Sequence, residues 1–230
     1  MKKLFVTILL IFIFMLMACI AGKGGSTLKK TSPLVCLGNS LTAGHGATVP
    51  GVDGREKSYP AFLQGKINIP VVNAGVSGNT SEQGLSRVEE DVLSKKPQIV
   101  IIELGANDLL QRIPVSITQK NLQSIIGMIN DGSRKIYLAK FYTEKIAMAM
   151  VTLLQITDRD EQAALIDQYE DMFNTLAISN NVELIDDIWA EVWGIHMSDS
   201  MHPNEKGYEK MAENYFRVLK PYLQANNLLK

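Results

Sequence analysis

Five short runs of aliphatic and β-branched residues fall at residues 34–37, 71–73, 99–104, 135–139 and 182–185. They are largely apolar rather than alternating. A strand with one wet face alternates, whereas a continuous run belongs to a strand covered on both faces, as in a parallel sheet. Between the runs the apolar period lengthens to that of a helix. Leu85, Val88, Val92 and Leu93 are predicted to share one face, as are Leu122, Ile125, Ile126 and Ile129. Leu165, Tyr169, Met172, Phe173 and Leu176 repeat the pattern, and so do Tyr208, Met211, Ala212, Tyr215, Phe216 and Leu219. Pro221 is expected to end that last helix. Thr80 with Gln83 predicts a capping box, and Asn204 an N-cap. Alternating strands and helices predict an α/β domain, a three-layer α/β/α sandwich. In such open sheets ligands bind beyond the carboxyl ends of the strands.

The length of 230 residues suits one domain, here expected over residues 33–230. A formal net charge of -1 gives no electrostatic footprint for nucleic acid. The N-terminus reads differently from the rest. Lys2 and Lys3 precede an apolar run over residues 4–18, the layout of a secretory signal peptide at residues 1–18. Its end, Leu16-Met17-Ala18-Cys19, resembles a bacterial lipobox. That likeness implies a lipidated Cys19 and a lipid anchor in a bacterial cell envelope, with the domain facing the periplasm or exterior. A plain signal cut elsewhere and an uncleaved anchor are the alternatives. Residues 19–32, rich in Gly, Ser, Thr and Lys, read as a tether. Cys36, the other cysteine, lies in an apolar run and reads as a small buried hydrophobe.

Chemistry-bearing residues stand just after three of the predicted strands. Ser40 lies between Gly38 and Gly44, Gly78 follows the second run, and Asn107 follows the third. Near the other end Asp199 and His202 are three apart, before Pro203. Acyl transfer needs a nucleophile, a base, a group that orients the base, and donors for the oxyanion. Ser40, His202 and Asp199 supply the first three. The backbone N–H groups of Ser40 and Gly78 and the amide of Asn107 supply the donors. Each motif alone has a plainer reading, as a turn or a helix cap. Their joint occurrence in this order points to a serine esterase.

The same residues resemble the GDSL or SGNH hydrolase family, with Ser40, Gly78, Asn107 and the Asp199–His202 pair matching its four blocks. The segments at residues 72–81 and 102–108 look like those of its bacterial thioesterase, lysophospholipase and arylesterase group. The resemblance runs from about Leu34 to about Leu223. It implies a flavodoxin-like five-stranded parallel sheet and no metal or organic cofactor. The substrate it implies is a small acyl ester, thioester or lipid with a short-to-medium chain. A carbohydrate O-deacetylase and a non-catalytic binding lipoprotein are the rival readings. Tyr59 and Trp193 are the aromatics a sugar site would use, although they are not clustered in the sequence. One departure is clear, because Asn39 stands where the family usually has aspartate.

Other chemistries fit less well. The serine context is G-x-S-x-x-x-G, not the G-x-S-x-G elbow of α/β-hydrolases, and no phosphate-cradling loop follows a strand. His196, Asp199 and His202 match no common zinc spacing. His45 reads as a rim residue without an evident carboxylate to orient it. Glu103 reads as a hydrogen-bonded structural carboxylate. The apolar segment at residues 146–156 is expected either to wall an acyl pocket or to cover the sheet.

Overall fold

The computed structural model describes residues 31–142, 146, 149 and 154–230. The signal segment and Cys19 lie outside the described residues, as does most of the tether. The continuous apolar runs form the strands of one sheet. They are β1 (Leu34–Gly38), β2 (Val71–Gly75), β3 (Ile99–Glu103), β4 (Lys135–Ala139) and β5 (Glu183–Ile185). All pair in parallel, in the order β2-β1-β3-β4-β5. Every residue of β1 and β3 is buried, as their apolar runs require, with Glu103 at the end of β3 the one charged residue among them. The order reverses at β1, whose neighbours are β2 and β3. The crevice beyond the carboxyl ends of β1 and β3 is therefore the topological switch point.

The helices are α1 (Ser40–Ala43), α2 (Tyr59–Gln64), α3 (Ser81–Ser86), α4 (Val88–Asp91), α5 (Ala106–Leu110), α6 (Val115–Ile129), α7 (Arg159–Asn180) and α8 (Glu205–Ala225). α2 packs on α8, whereas α3 packs on α6 and α6 on α7. On the first side Tyr59 and Tyr215 stack with ring centroids 4.2 Å apart. α8 turns Tyr208, Met211, Ala212, Leu219 and Leu223 inward with Tyr215. Each large side chain so buried contributes roughly 1.5–3 kcal/mol. Both predicted caps form. Thr80 and Gln83 close a capping box on α3, and Asn204 Oδ1 accepts the Gly207 N–H at 3.0 Å on α8.

Two helix expectations are corrected. The face expected from Leu85 to Leu93 is not one helix but α3, α4 and a 3-10 turn at Leu93–Lys95. The break falls at Arg87 (φ -113°, ψ 8°), whose side chain is drawn to the strand ends. Pro221 does not end α8, which continues to Ala225. The ring removes a single N–H near the helix end, and buried Leu219 and Leu223 hold the helix to the core on either side of it.

Candidate active site

The nucleophile candidate sits where the chain leaves β1 and turns at once into α1. Asn39 makes this turn. Its Oδ1 accepts the Leu41 N–H at 2.9 Å, and its Nδ2 donates to Glu103 Oε1 at 3.1 Å. Glu103 is fully buried at the end of β3, opposite Gly38. Its other oxygen accepts from Thr42 Oγ1 at 3.1 Å. Burial pushes the Glu103 carboxyl up to about 8, against the hydrogen bonds from Thr42 and Asn39 that lower it. Glu103 is thus the structural, hydrogen-bonded carboxyl expected from sequence. The departure at position 39 also finds a reason. An aspartate there would present a second carboxylate to Glu103, whereas the amide accepts on one side and donates on the other.

α1 places Ser40 Oγ 3.1 Å from His202 Nε2. The other ring nitrogen, Nδ1, lies 2.9 Å from Asp199 Oδ2 and 3.1 Å from Oδ1. Asp199 Oδ1 also accepts the Met201 N–H at 2.7 Å and the His202 N–H at 2.8 Å. Partial burial raises the Asp199 carboxyl, but the Met201 N–H and the donors of His202 outweigh it and hold it below the ordinary 3.8. An ionised Asp199 keeps the ring proton on Nδ1 and leaves Nε2 to accept from Ser40. The short loop before α8 thus carries the His202 imidazole and the Asp199 carboxylate in one tight turn.

The candidate oxyanion donors line the same cleft as Ser40. The first-turn N–H groups of α1 have no partner within their own helix. Gly78 is the third residue of the Val76–Asn79 turn and has φ +83°, a conformation that favours glycine. Nothing lies within 4 Å of where its Cβ would be, so the approach to its backbone is open. Asn107 Nδ2 donates one hydrogen to Asn79 O at 2.9 Å, which fixes the amide and leaves its second hydrogen for a ligand. Ser40, Gly78, Asn107 and His202 all line one cleft of about 230 Å³.

The supporting residues were not visible from sequence. Arg87 donates to Gly38 O at 2.8 Å, to Ala74 O at 2.7 Å and to Asn79 Oδ1 at 2.8 Å. One guanidinium therefore ties together the ends of β1 and β2 and the Gly78 turn. Buried Asp108 accepts from Ser81 N–H at 2.8 Å, Ser81 Oγ at 2.5 Å and Thr118 Oγ1 at 3.2 Å, joining the Asn107 loop to α3 and α6.

The far wall of the cleft is apolar. Leu110, Phe141, Ile146, Trp189, Trp193 and Met201 line it. Of the segment at residues 146–156, Ile146 lies in this wall, and Met148 and Leu153 fall outside the described residues. Trp189 was not singled out from sequence. It meets Trp193 edge to face at 5.3 Å and donates its Nε1–H to Phe141 O at 2.7 Å. Trp193 is therefore part of an aromatic pair in the cleft, while Tyr59 is fully buried and no part of it. Cys36 is buried in β1, and burial holds its thiol far above the usual range, so it has no thiolate to offer.

His45 requires a correction. It has a carboxylate partner, since Asp53 Oδ1 lies 2.8 Å from its Nδ1. The pair meets across an isolated antiparallel bridge within the loop after α1, a fold-back that spacing alone does not disclose. His196 does not join Asp199 and His202. The residue that approaches them is His45.

Comparison with known proteins gives the family and the fold. The profile of the GDSL-like Lipase/Acylhydrolase family matches residues 36–210. An arylesterase of Vibrio mimicus is 28% identical over 196 residues, covering 80% of this chain and 86% of that protein. The thioesterase 1/protease 1/lysophospholipase L1 of Escherichia coli K12 is 36% identical over 95 residues, 40% of this chain and 43% of that one. The crystal structure of the psychrotrophic esterase EstA from Pseudoalteromonas sp. superposes with a TM-score of 0.67 at 23% identity, covering 84% of this chain and 99% of that one, and shows the same fold. With its fold and nearly its whole domain matched, the chain belongs to the GDSL-like lipase/acylhydrolase family.

Proposed function

We propose that this protein is a serine hydrolase of carboxylic esters and thioesters with short-to-medium acyl chains, working through an acyl-enzyme. The observation that carries the reading is the hydrogen-bonded line Ser40–His202–Asp199 at the foot of an apolar cleft. Ser40 Oγ attacks the acyl carbon as its proton passes to His202 Nε2. The oxyanion receives the N–H groups of Ser40 and Gly78 and the free amide hydrogen of Asn107. His202 returns the proton to the leaving alcohol or thiol, and the acyl group remains on Ser40. Water, deprotonated by the same nitrogen, then releases the acid.

The cleft supports the chain-length reading. Its volume of about 230 Å³ is below the roughly 300–1,000 Å³ of sites for drug-sized ligands. Besides the polar Ser40, His45, Ser77, Asn107 and His202, its lining carries Phe, Ile, Leu, Met and Trp side chains that suit an acyl chain. Relatives named arylesterase and thioesterase/lysophospholipase fit acyl selection, while another is named acetylxylan esterase, the class of the rival reading. Each buried methylene contributes about 0.8 kcal/mol, nearly fourfold in binding. A series of p-nitrophenyl esters should show kcat/KM rising from acetyl and falling once the chain outgrows the cleft. A flat series, or activity confined to acetylated sugars, would count against it.

The same proposal places the enzyme in a bacterial envelope, anchored through lipid on Cys19 and facing the periplasm or exterior. Leu16-Met17-Ala18-Cys19 supports this. Several acyl chains on one residue anchor stably, where a single chain binds marginally. Intact mass spectrometry of membrane-derived protein should find Cys19 as a lipidated N-terminus, and an unmodified Cys19 there would refute the anchor.

A further inference from the structure

His45 brings a second histidine–carboxylate pair up against the first. Asp53 Oδ1 takes the His45 Nδ1–H and also accepts from Ser77 Oγ at 2.6 Å. A carboxylate only accepts, so the His45 proton stays on Nδ1 and Nε2 keeps a free lone pair. The His45 and His202 rings are 4.5 Å apart, centroid to centroid, at 58°. One ligand atom each from His45, Asp199 and His202 lies within 4.8 Å of the others. Two imidazoles and a carboxylate suit a zinc-type ion, and a histidine backed by a carboxylate is the usual outer support of such a ligand.

The distances are close to what one ion needs. With bonds of about 2.0–2.2 Å, two ligands of a tetrahedral ion stand roughly 3.3 Å apart. Asp199 Oδ2 and His202 Nδ1 already stand 2.9 Å apart. A ring nitrogen of His45 lies at most 4.8 Å from a ligand atom of each of the other two residues, which leaves at most about 1.5 Å to close between those atoms.

We propose that His45, Asp199 and His202 form an inhibitory site for a divalent transition-metal ion such as Zn²⁺. The ion takes the place of the proton between Asp199 and His202 Nδ1, with His45 Nε2 as third ligand. The displaced proton moves to His202 Nε2, so the ring stays neutral and nothing is oxidised or reduced. A ring metallated at Nδ1 and protonated at Nε2 cannot accept the proton of Ser40. The inhibition rests on His202 being the base proposed above, whereas the binding does not.

Titration calorimetry with ZnCl₂ on the full protein, beside p-nitrophenyl acetate hydrolysis, separates the two. The expected result is one Zn²⁺ per chain, turnover falling with occupancy, recovery with EDTA, and no effect of Mg²⁺. His45→Ala, with rates referred to its own rate in EDTA, should raise the half-inhibitory concentration at least tenfold. Asp53→Asn, which removes only the support of His45, should raise it roughly 10- to 100-fold, the usual effect of losing an outer-shell partner. Absence of binding, or an unchanged half-inhibitory concentration in both variants, would overturn the site and leave the esterase reading intact. Binding that depends on His45 yet leaves turnover unaffected would instead overturn the role of His202, and with it the inhibition.

Discussion

Glu103→Gln should abolish a pH-dependent loss of stability that the wild type carries beside the Asn39 turn. The carboxyl is fully buried, and burial raises it from 4.5 to about 8. Between those values the folded chain keeps a proton that the unfolded chain has released. The unfolded state then binds fewer protons, so stability falls as pH rises through the window and levels off above about 8. From pH 5 to pH 8 the loss attributable to this group is about 3–4 kcal/mol. Glutamine keeps the contacts: its carbonyl can accept from Asn39 Nδ2, and its amide can donate to Thr42 Oγ1, which then donates to Tyr59 Oη at 3.1 Å. Urea unfolding of both proteins across pH 5–8 is the assay. Their stabilities should lie close together at pH 5 and separate by about 3–4 kcal/mol at pH 8 in favour of the variant. For a chain of this size that is about 6–16 °C in Tm. Parallel curves would show that Glu103 does not hold its proton in the folded chain.

Two further substitutions test the site and its support. Asn107→Ala removes the proposed oxyanion donor, so kcat should fall by roughly 10²–10³ with KM little changed; a rise in KM alone would make Asn107 a substrate contact. Arg87→Ala unties Gly38 O, Ala74 O and Asn79 together and should cost about 3 kcal/mol in chemical denaturation, since bonds to a charged donor contribute roughly 1.5–3 kcal/mol each and water refills part of the gap. A loss below about 1 kcal/mol would mean that the guanidinium bonds are as well made to solvent.

The sheet was legible because β1 and β3 are buried on both faces, which leaves a continuous apolar run as their signature. The positions of Ser40, Gly78 and Asn107 followed, since each comes within a few residues of a strand end. Helix continuity was less legible. The break at Arg87 is set by carbonyls from two strands that come near only in the folded chain. The run through Pro221 depends on Leu219 and Leu223 being held in the core. His45 seemed unpartnered because Asp53 reaches it by a local fold-back with no periodic signal. Trp189 was overlooked for a similar reason. Its indole is turned to the cleft by a bond to Phe141 O, a contact between residues 48 apart.

The central claim is that Ser40 carries the acyl group. Incubating the protein with a fluorophosphonate and mapping the adduct by peptide mass spectrometry tests it directly. The expected result is one equivalent of label on Ser40 in step with loss of esterase activity, and labelling slowed by orders of magnitude in His202→Ala. Label on another residue, or full esterase activity in protein whose Ser40 is stoichiometrically modified, would contradict it.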